Sequence, residues 1–129
     1  MKKNVLSIHL WALAGILFLA AESKGWAHAF LDHSEPKVGS TITNAPFEIK
    51  LWFNQDVEPA FSSIKVQNAS ETEVDKKDTH RDAKNKALLV VSVSPLPAGT
   101  YTVFWHVVSE DTHRTQGHFK FTIQPEKTK

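Results

Sequence analysis

In "FEIKLWF", residues 47–53, and "GHFKFTI", residues 117–123, apolar and polar side chains alternate. A period of two is the signature of a half-buried β-strand, because successive side chains leave opposite faces of the backbone. The pattern puts Phe47, Ile49, Leu51 and Phe53 on one face of the first segment, with Glu48 and Lys50 on the other. In the second it turns Phe119, Phe121 and Ile123 inward and His118 and Lys120 outward. "FSSIKVQ", 61–67, alternates through Ile64 and Val66. "TYTVFWHVV", 100–108, carries Tyr101, Val103, Trp105 and Val107 on one face and Phe104, His106 and Val108 on the other, as a central strand would. "ALLVVSV", 87–93, is apolar throughout, as expected of a strand covered on both faces. "AFLDH", 29–33, reads as a short strand closed by the turn "EPKVGS". No helical periodicity follows residue 27. Six or seven short strands joined by turns predict an all-β chain, a seven-stranded Greek-key, immunoglobulin-like sandwich of two sheets. The segment 71–86, "ETEVDKKDTHRDAKNK", mixes both signs of charge, so it reads as a solvated hairpin or loop and not as a basic binding patch.

Ahead of these strands lies a different composition. Lys2 and Lys3 precede "VLSIHLWALAGILFLAA", residues 5–21, which has no Lys, Arg, Asp or Glu. A basic start, an apolar run and small residues at Gly25 and Ala27 form the pattern of a secretory signal cut before His28. Residues 1–27 are therefore expected to be a signal peptide, and 28–129 the working domain. The signal takes three of the 15 basic residues and one of the 14 acidic ones, leaving 12 against 13. So balanced a charge gives no field for nucleic acid.

Several chemistries drop out early. The chain has no cysteine, which excludes disulfides, thiolate metal sites and a cysteine nucleophile. No glycine-rich phosphate loop is present. Ser109, Asp111 and His113 are the residue types of a hydrolase triad, but their spacing of two along one stretch offers no nucleophile elbow or oxyanion hole.

Metal chemistry fits better. If His28 is the first residue after cleavage, its α-amine and its imidazole Nδ1 sit on one Cα and close a chelate ring on a single ion. Their reference pKa values are about 7.7–8.0 and about 6.5, so a metal displaces either proton near neutral pH at little cost. Asp111 and His113 are two apart, and on extended backbone that spacing aims both side chains to one side. Together these groups would offer three nitrogens and one carboxylate oxygen, a tetragonal set that favours Cu(II) and is also acceptable to Zn(II). Of the other histidines, His33 reads as a surface residue or an extra ligand, and His106 as half-buried and neutral. His118 and His80 read as solvated, and His9 belongs to the signal. Trp52 and Trp105 read as structural.

Three stretches, "HAFLDHSEPKVGS", "LPAGTYTVFWHVVSEDTH" and "GHFKFTI", together resemble the CopC family of periplasmic copper-binding proteins over nearly the whole of residues 28–129. The resemblance implies a seven-stranded β-sandwich that binds one Cu(II) through an N-terminal His, an Asp and a His, which fall on His28, Asp111 and His113. It also implies a CopD-like copper transport protein of the inner membrane as partner. The sequence departs from relatives in two places. Its one methionine is Met1, so no dedicated Cu(I) site built on thioethers is expected. Arg114 stands where many relatives have proline.

The leading expectation is therefore a monomeric, exported, non-enzymatic Cu(II) carrier of the periplasm that serves copper homeostasis or resistance. One alternative is a copper-dependent oxidase using a histidine brace, against which the Asp111 carboxylate would fill a position that oxygen needs. The other is a metal-free structural module, since fold alone does not fix function.

Overall fold

A computed structural model describes residues 29–127. The expected signal, its cut after Ala27 and His28 itself lie outside the described residues. Eight strands form in chain order: β1 (Leu31–Glu35), β2 (Thr41–Ile42), β3 (Glu48–Phe53), β4 (Ser63–Gln67), β5 (His80–Arg81), β6 (Leu88–Ser92), β7 (Gly99–Val108) and β8 (Arg114–Ile123). They build two four-stranded sheets, β1-β3-β6-β5 and β2-β8-β7-β4. Only β5–β6 and β7–β8 are joined within a sheet, and every other connection crosses between sheets. That alternation makes the two sheets the covers of one sandwich, as the period-two pattern predicts.

The inward residues are those that the alternation selects. Ile49 and Leu51 of β3, Val66 of β4, Val103 and Val107 of β7, and Phe121 of β8 are all but inaccessible to water. Burying a side chain of this size contributes about 1.5–3 kcal/mol, so this layer dominates the stability of a chain without disulfides. All four residues Leu88–Val91 are buried, as the continuous apolar run requires. β7 lies between β8 and β4, in the central place its two-sided apolar pattern indicates. The Tyr101 hydroxyl donates to the Pro97 carbonyl at 2.5 Å and pins the turn that leads into β7.

Four details differ from the sequence reading. The count is eight strands, not seven, because β2 and β5 have only two residues each and are too short to display a period. Phe47 lies outside β3 and is 85% exposed, since strand pairing starts at Glu48 with Ser92. Pro59–Phe61 form a single 3-10 turn before β4. Finally, the charged segment is not a free loop. Val74 donates its N–H to the Val66 carbonyl at 2.8 Å, Asp75 bridges to Val93, and His80–Arg81 pair with β6. The segment thus runs from the open edge of β4 to the edge of β6 and covers both, a protection that exposed strand edges need.

Candidate metal centre

The loop Ser109–His113 joins β7 to β8. It begins where outward and inward positions cease to alternate and the chain must reverse. The Thr112 N–H donates to the Ser109 carbonyl at 2.9 Å and closes the turn. Thr112 itself sits at φ 71°, a left-handed conformation that costs a β-branched residue on the order of 1 kcal/mol. Neighbouring segments hold the loop in that shape. Val57 bridges to Ser109, Glu110 N–H donates to the Asp56 carbonyl at 3.1 Å, and Arg81 reaches both the Val57 carbonyl at 3.0 Å and the Glu110 carboxylate at 3.5 Å. Arg114 is the first residue of β8 and pairs with Val108.

Within this frame the predicted pair Asp111 and His113 come together. His113 Nδ1 lies 3.1 Å from Asp111 Oδ2, with the two side chains 50% and 40% exposed. The other carboxylate oxygen, Oδ1, accepts a short hydrogen bond from Ser109 Oγ. Ser109 is fully buried, so its hydroxyl is a fixed donor. Its N–H donates to the His113 carbonyl at 2.9 Å, which closes the base of the loop. The Ser109 hydroxyl holds the Asp111 carboxyl below its ordinary pKa, assisted by His113 and opposed by desolvation. A hydrogen bond donated to the ionised form stabilises it, which is the direction of that shift. The pair is therefore an ionised carboxylate and an imidazole, adjacent, oriented and open to solvent.

In sequence, Ser109 reads only as a possible nucleophile. Its hydroxyl faces the carboxylate and not the imidazole, so the triad geometry is not formed, and the residue positions Asp111 instead. The serine two residues before the aspartate was the only trace of this in the sequence. Gly117, in β8, is fixed by packing alone. A Cβ there would lie 2.5 Å from the Trp105 indole, which packs across the glycine and meets Phe53 edge-on at 5.4 Å.

The remaining histidines go elsewhere. His33 stacks on Trp52 with centroids 4.4 Å apart and pairs with Asp32 at 2.7 Å, on the outer face of the opposite sheet. His106 is half-buried and His118 exposed, both on the outer face of β7–β8. His80 Nδ1 donates to the Asp78 carbonyl at 2.9 Å. Among the described residues no group of three or more His, Asp or Glu side chains could hold an ion. The two donors Asp111 and His113 fit a metal in kind but not in number, since a tetragonal or tetrahedral ion needs further ligands.

The described chain begins beside this loop. Ala29 is fully buried, and its carbonyl accepts a 2.6 Å hydrogen bond from Thr115 Oγ1, two residues beyond His113. Phe30 and Asn54 exchange hydrogen bonds of 2.7 and 3.0 Å, which fix the next residue to the end of β3.

Comparison with known proteins identifies the family. Residues 31–124 match the family model of the CopC domain. Protein YobA of Escherichia coli K12 is 36% identical over 115 residues, covering 88% of this chain and 93% of that protein. The crystal structure of CopC from Methylosinus trichosporium OB3b superposes with a TM-score of 0.73 at 30% identity, over 78% of this chain and 98% of that one. PcoC, a methionine-rich copper resistance protein from Escherichia coli, gives 0.67 at 34% identity, over 76% and 100%. By domain match, sequence and fold, the chain belongs to the CopC family.

Proposed function

We propose that this protein is an exported Cu(II) carrier of the periplasm, cut after Ala27, that binds one ion through His28, Asp111 and His113 and passes it to a CopD-like membrane partner. The observation that carries the reading is the hydrogen bond from Thr115 Oγ1 to the Ala29 carbonyl. It ties the residue that follows His28 to the strand that follows His113. One peptide unit spans about 3.8 Å, so a first residue at 28 has only a short tether to the loop. The amine and imidazole of His28 would supply the donors that Asp111 and His113 lack. Relatives described as copper resistance proteins agree with this cargo.

The chain's own residues account for the rest of the cycle. Asp111 offers a negative charge kept ionised by Ser109, and His113 an imidazole nitrogen beside it. A half-exposed pair lets an ion enter and leave without opening the core. Protons compete for the amine and imidazoles, so acid releases the ion. No turnover is proposed, because the ligand set serves binding and transfer.

The test is a competition titration of the protein that begins at His28, with Cu(II) and Zn(II), beside His113→Ala and Asp111→Ala. The expected result is one tightly held Cu(II) per chain, preferred over Zn(II) and lost in both variants. Absence of tight Cu(II) binding, or undiminished binding in either variant, would overturn the assignment.

A further inference from the structure

The two covers of the sandwich differ in charge. On the outer face of β1–β3, His33, Glu35, Glu48, Lys50 and Trp52 mix signs, and Lys50 and Glu48 lie 3.9 Å apart. The outer face of β4–β7–β8 has no carboxylate at any outward strand position. It presents Ser63, Lys65 and Gln67 from β4, Thr100, Thr102, Phe104 and His106 from β7, and Arg114, Gln116, His118, Lys120 and Thr122 from β8. Carboxylates appear only at its borders: Asp111 and Glu110 in the loop, the latter paired with Arg81, Glu73 beyond Gln67, within reach of Lys77, and Asp75, bonded to the Val66 N–H.

The middle of this face is a depression of about 500 Å³ with the Phe104 ring as its apolar part and Lys65, His106, Gln116 and His118 around it. Cross-strand register creates it. Lys65 and His118 are the two lateral partners of Phe104, with the ammonium 5.4 Å and the imidazole 5.8 Å from the ring centroid. The depression also borders the candidate metal loop. The pair His106–Gln116 is two residues from Val108–Arg114, where the loop begins, roughly 7 Å along a strand.

We infer that this face docks an acidic, extended segment of a partner protein, with one of its side chains in the Phe104 depression and its carboxylates on Lys65, Lys120 and Arg114. Charge complementarity selects the sign of the occupant, because the fixed charges on the strands of this face, Lys65, Arg114 and Lys120, are all positive. The depression selects a polypeptide over an anionic bilayer, since a flat surface cannot fill it and a side chain can. Continuity with the loop gives the docking a purpose, as a partner held here has Asp111 and His113 at its edge. That purpose rests on the copper-carrier reading, whereas the binding itself does not.

The test uses the protein beginning at His28 and a fluorescein-labelled peptide of ten glutamates with one central phenylalanine, read by anisotropy at low salt and by amide shifts in 15N–1H spectra. Shifts are expected on β4, β7 and β8 and not on β1 or β3. The double variant Lys65→Glu/Lys120→Glu should weaken binding about tenfold or more, while Lys50→Glu on the opposite sheet leaves it within about twofold. Added salt should weaken binding in the same order. Vesicles containing phosphatidylglycerol form a second arm. Vesicle binding with no peptide binding, peptide binding equally lowered by Lys50→Glu, or no binding at all would overturn the inference. Cu(II) titration separates this result from the carrier reading. His113→Ala should lose copper and keep the peptide, and Lys65→Glu/Lys120→Glu should do the reverse.

Discussion

Asp111 and Asp75 are both aspartates in polar, charge-rich connections, and the sandwich uses their oxygens in opposite ways. Asp75 spends its carboxylate on backbone: Oδ2 accepts from Val66 N–H at 2.9 Å and Oδ1 from Lys77 N–H at 3.0 Å. Its neighbours behave alike. Asp78 Oδ1 accepts from Ser92 N–H at 2.8 Å, and Asp82 Oδ2 accepts from the N–H groups of Lys84 and Asn85, each at 2.9 Å. Asp75 and Asp78 stand in for a missing strand partner at Val66 and Ser92 and hold the segment against both sheets, while Asp82 closes a turn within it. Asp111 is instead gripped chiefly by side chains, a buried serine hydroxyl on Oδ1, which also takes a long 3.4 Å bond from the His113 N–H, and an imidazole near Oδ2. A carboxylate committed to amides has little left for an ion. One oriented by a hydroxyl and facing solvent keeps lone pairs to give.

Removing a ligand is the most severe way to probe this contrast. His113→Ala or Asp111→Ala should lower Cu(II) affinity by more than the roughly 10–100-fold typical of losing an outer-shell partner, while Asp75→Ala and Asp82→Ala should leave it nearly unchanged. Competition with a chelator of known affinity measures both, and copper loss in the Asp75 variant would break the distinction. Next comes Ser109→Ala, which keeps every ligand but frees the carboxylate. An affinity loss of roughly tenfold or more is expected, with the fold intact by circular dichroism. Asp75→Ala should then cost about 1 kcal/mol of unfolding free energy in urea, since two amides lose their acceptor near water. The smallest effects lie in titration. The folded-state pKa of Asp111 is depressed, so its stabilising contribution is complete above the ordinary carboxylate value of 3.8 and is lost only as pH falls through the lower folded value. Asp78, depressed first by the hydrogen bond to Ser92, follows the same sign. Copper release between pH 7 and 5 should therefore follow the imidazoles and the amine, with Asp111 ionised throughout. A 13C titration of the side-chain carboxyls should find Asp111 moved upward in Ser109→Ala and Asp78 unmoved.

Much of the fold could be read from residues alone because alternation reports burial directly. Ile49, Leu51, Val103, Phe119 and Phe121 were all assigned inward by period and are all buried. Phe47 was misassigned because alternation says nothing of where pairing stops. β2 and β5 were missed because two residues cannot display a period. The segment 71–86 misled for a different reason. Its charge is real, but Val74 and the aspartates that bond to backbone make it an edge cover, and side-chain-to-amide bonds leave no compositional trace. At the candidate site, Asp111 and His113 were legible as an i, i+2 pair, and the structure brings them within 3.1 Å. The part played by Ser109 was not, since it depends on a reversal in the loop that turns its hydroxyl toward residue 111. The Ala29–Thr115 bond joins residues 86 apart in sequence, a separation no local pattern can encode.

The most direct test of the account is the Cu(II) EPR spectrum of the protein that begins at His28, set beside the same protein with one alanine added ahead of His28. The extension keeps every side chain and turns the terminal amine into an amide. The account predicts a single tetragonal signal with nitrogen couplings from the amine and two imidazoles, weakened and altered by the added residue. An identical spectrum and affinity in the extended protein would contradict it.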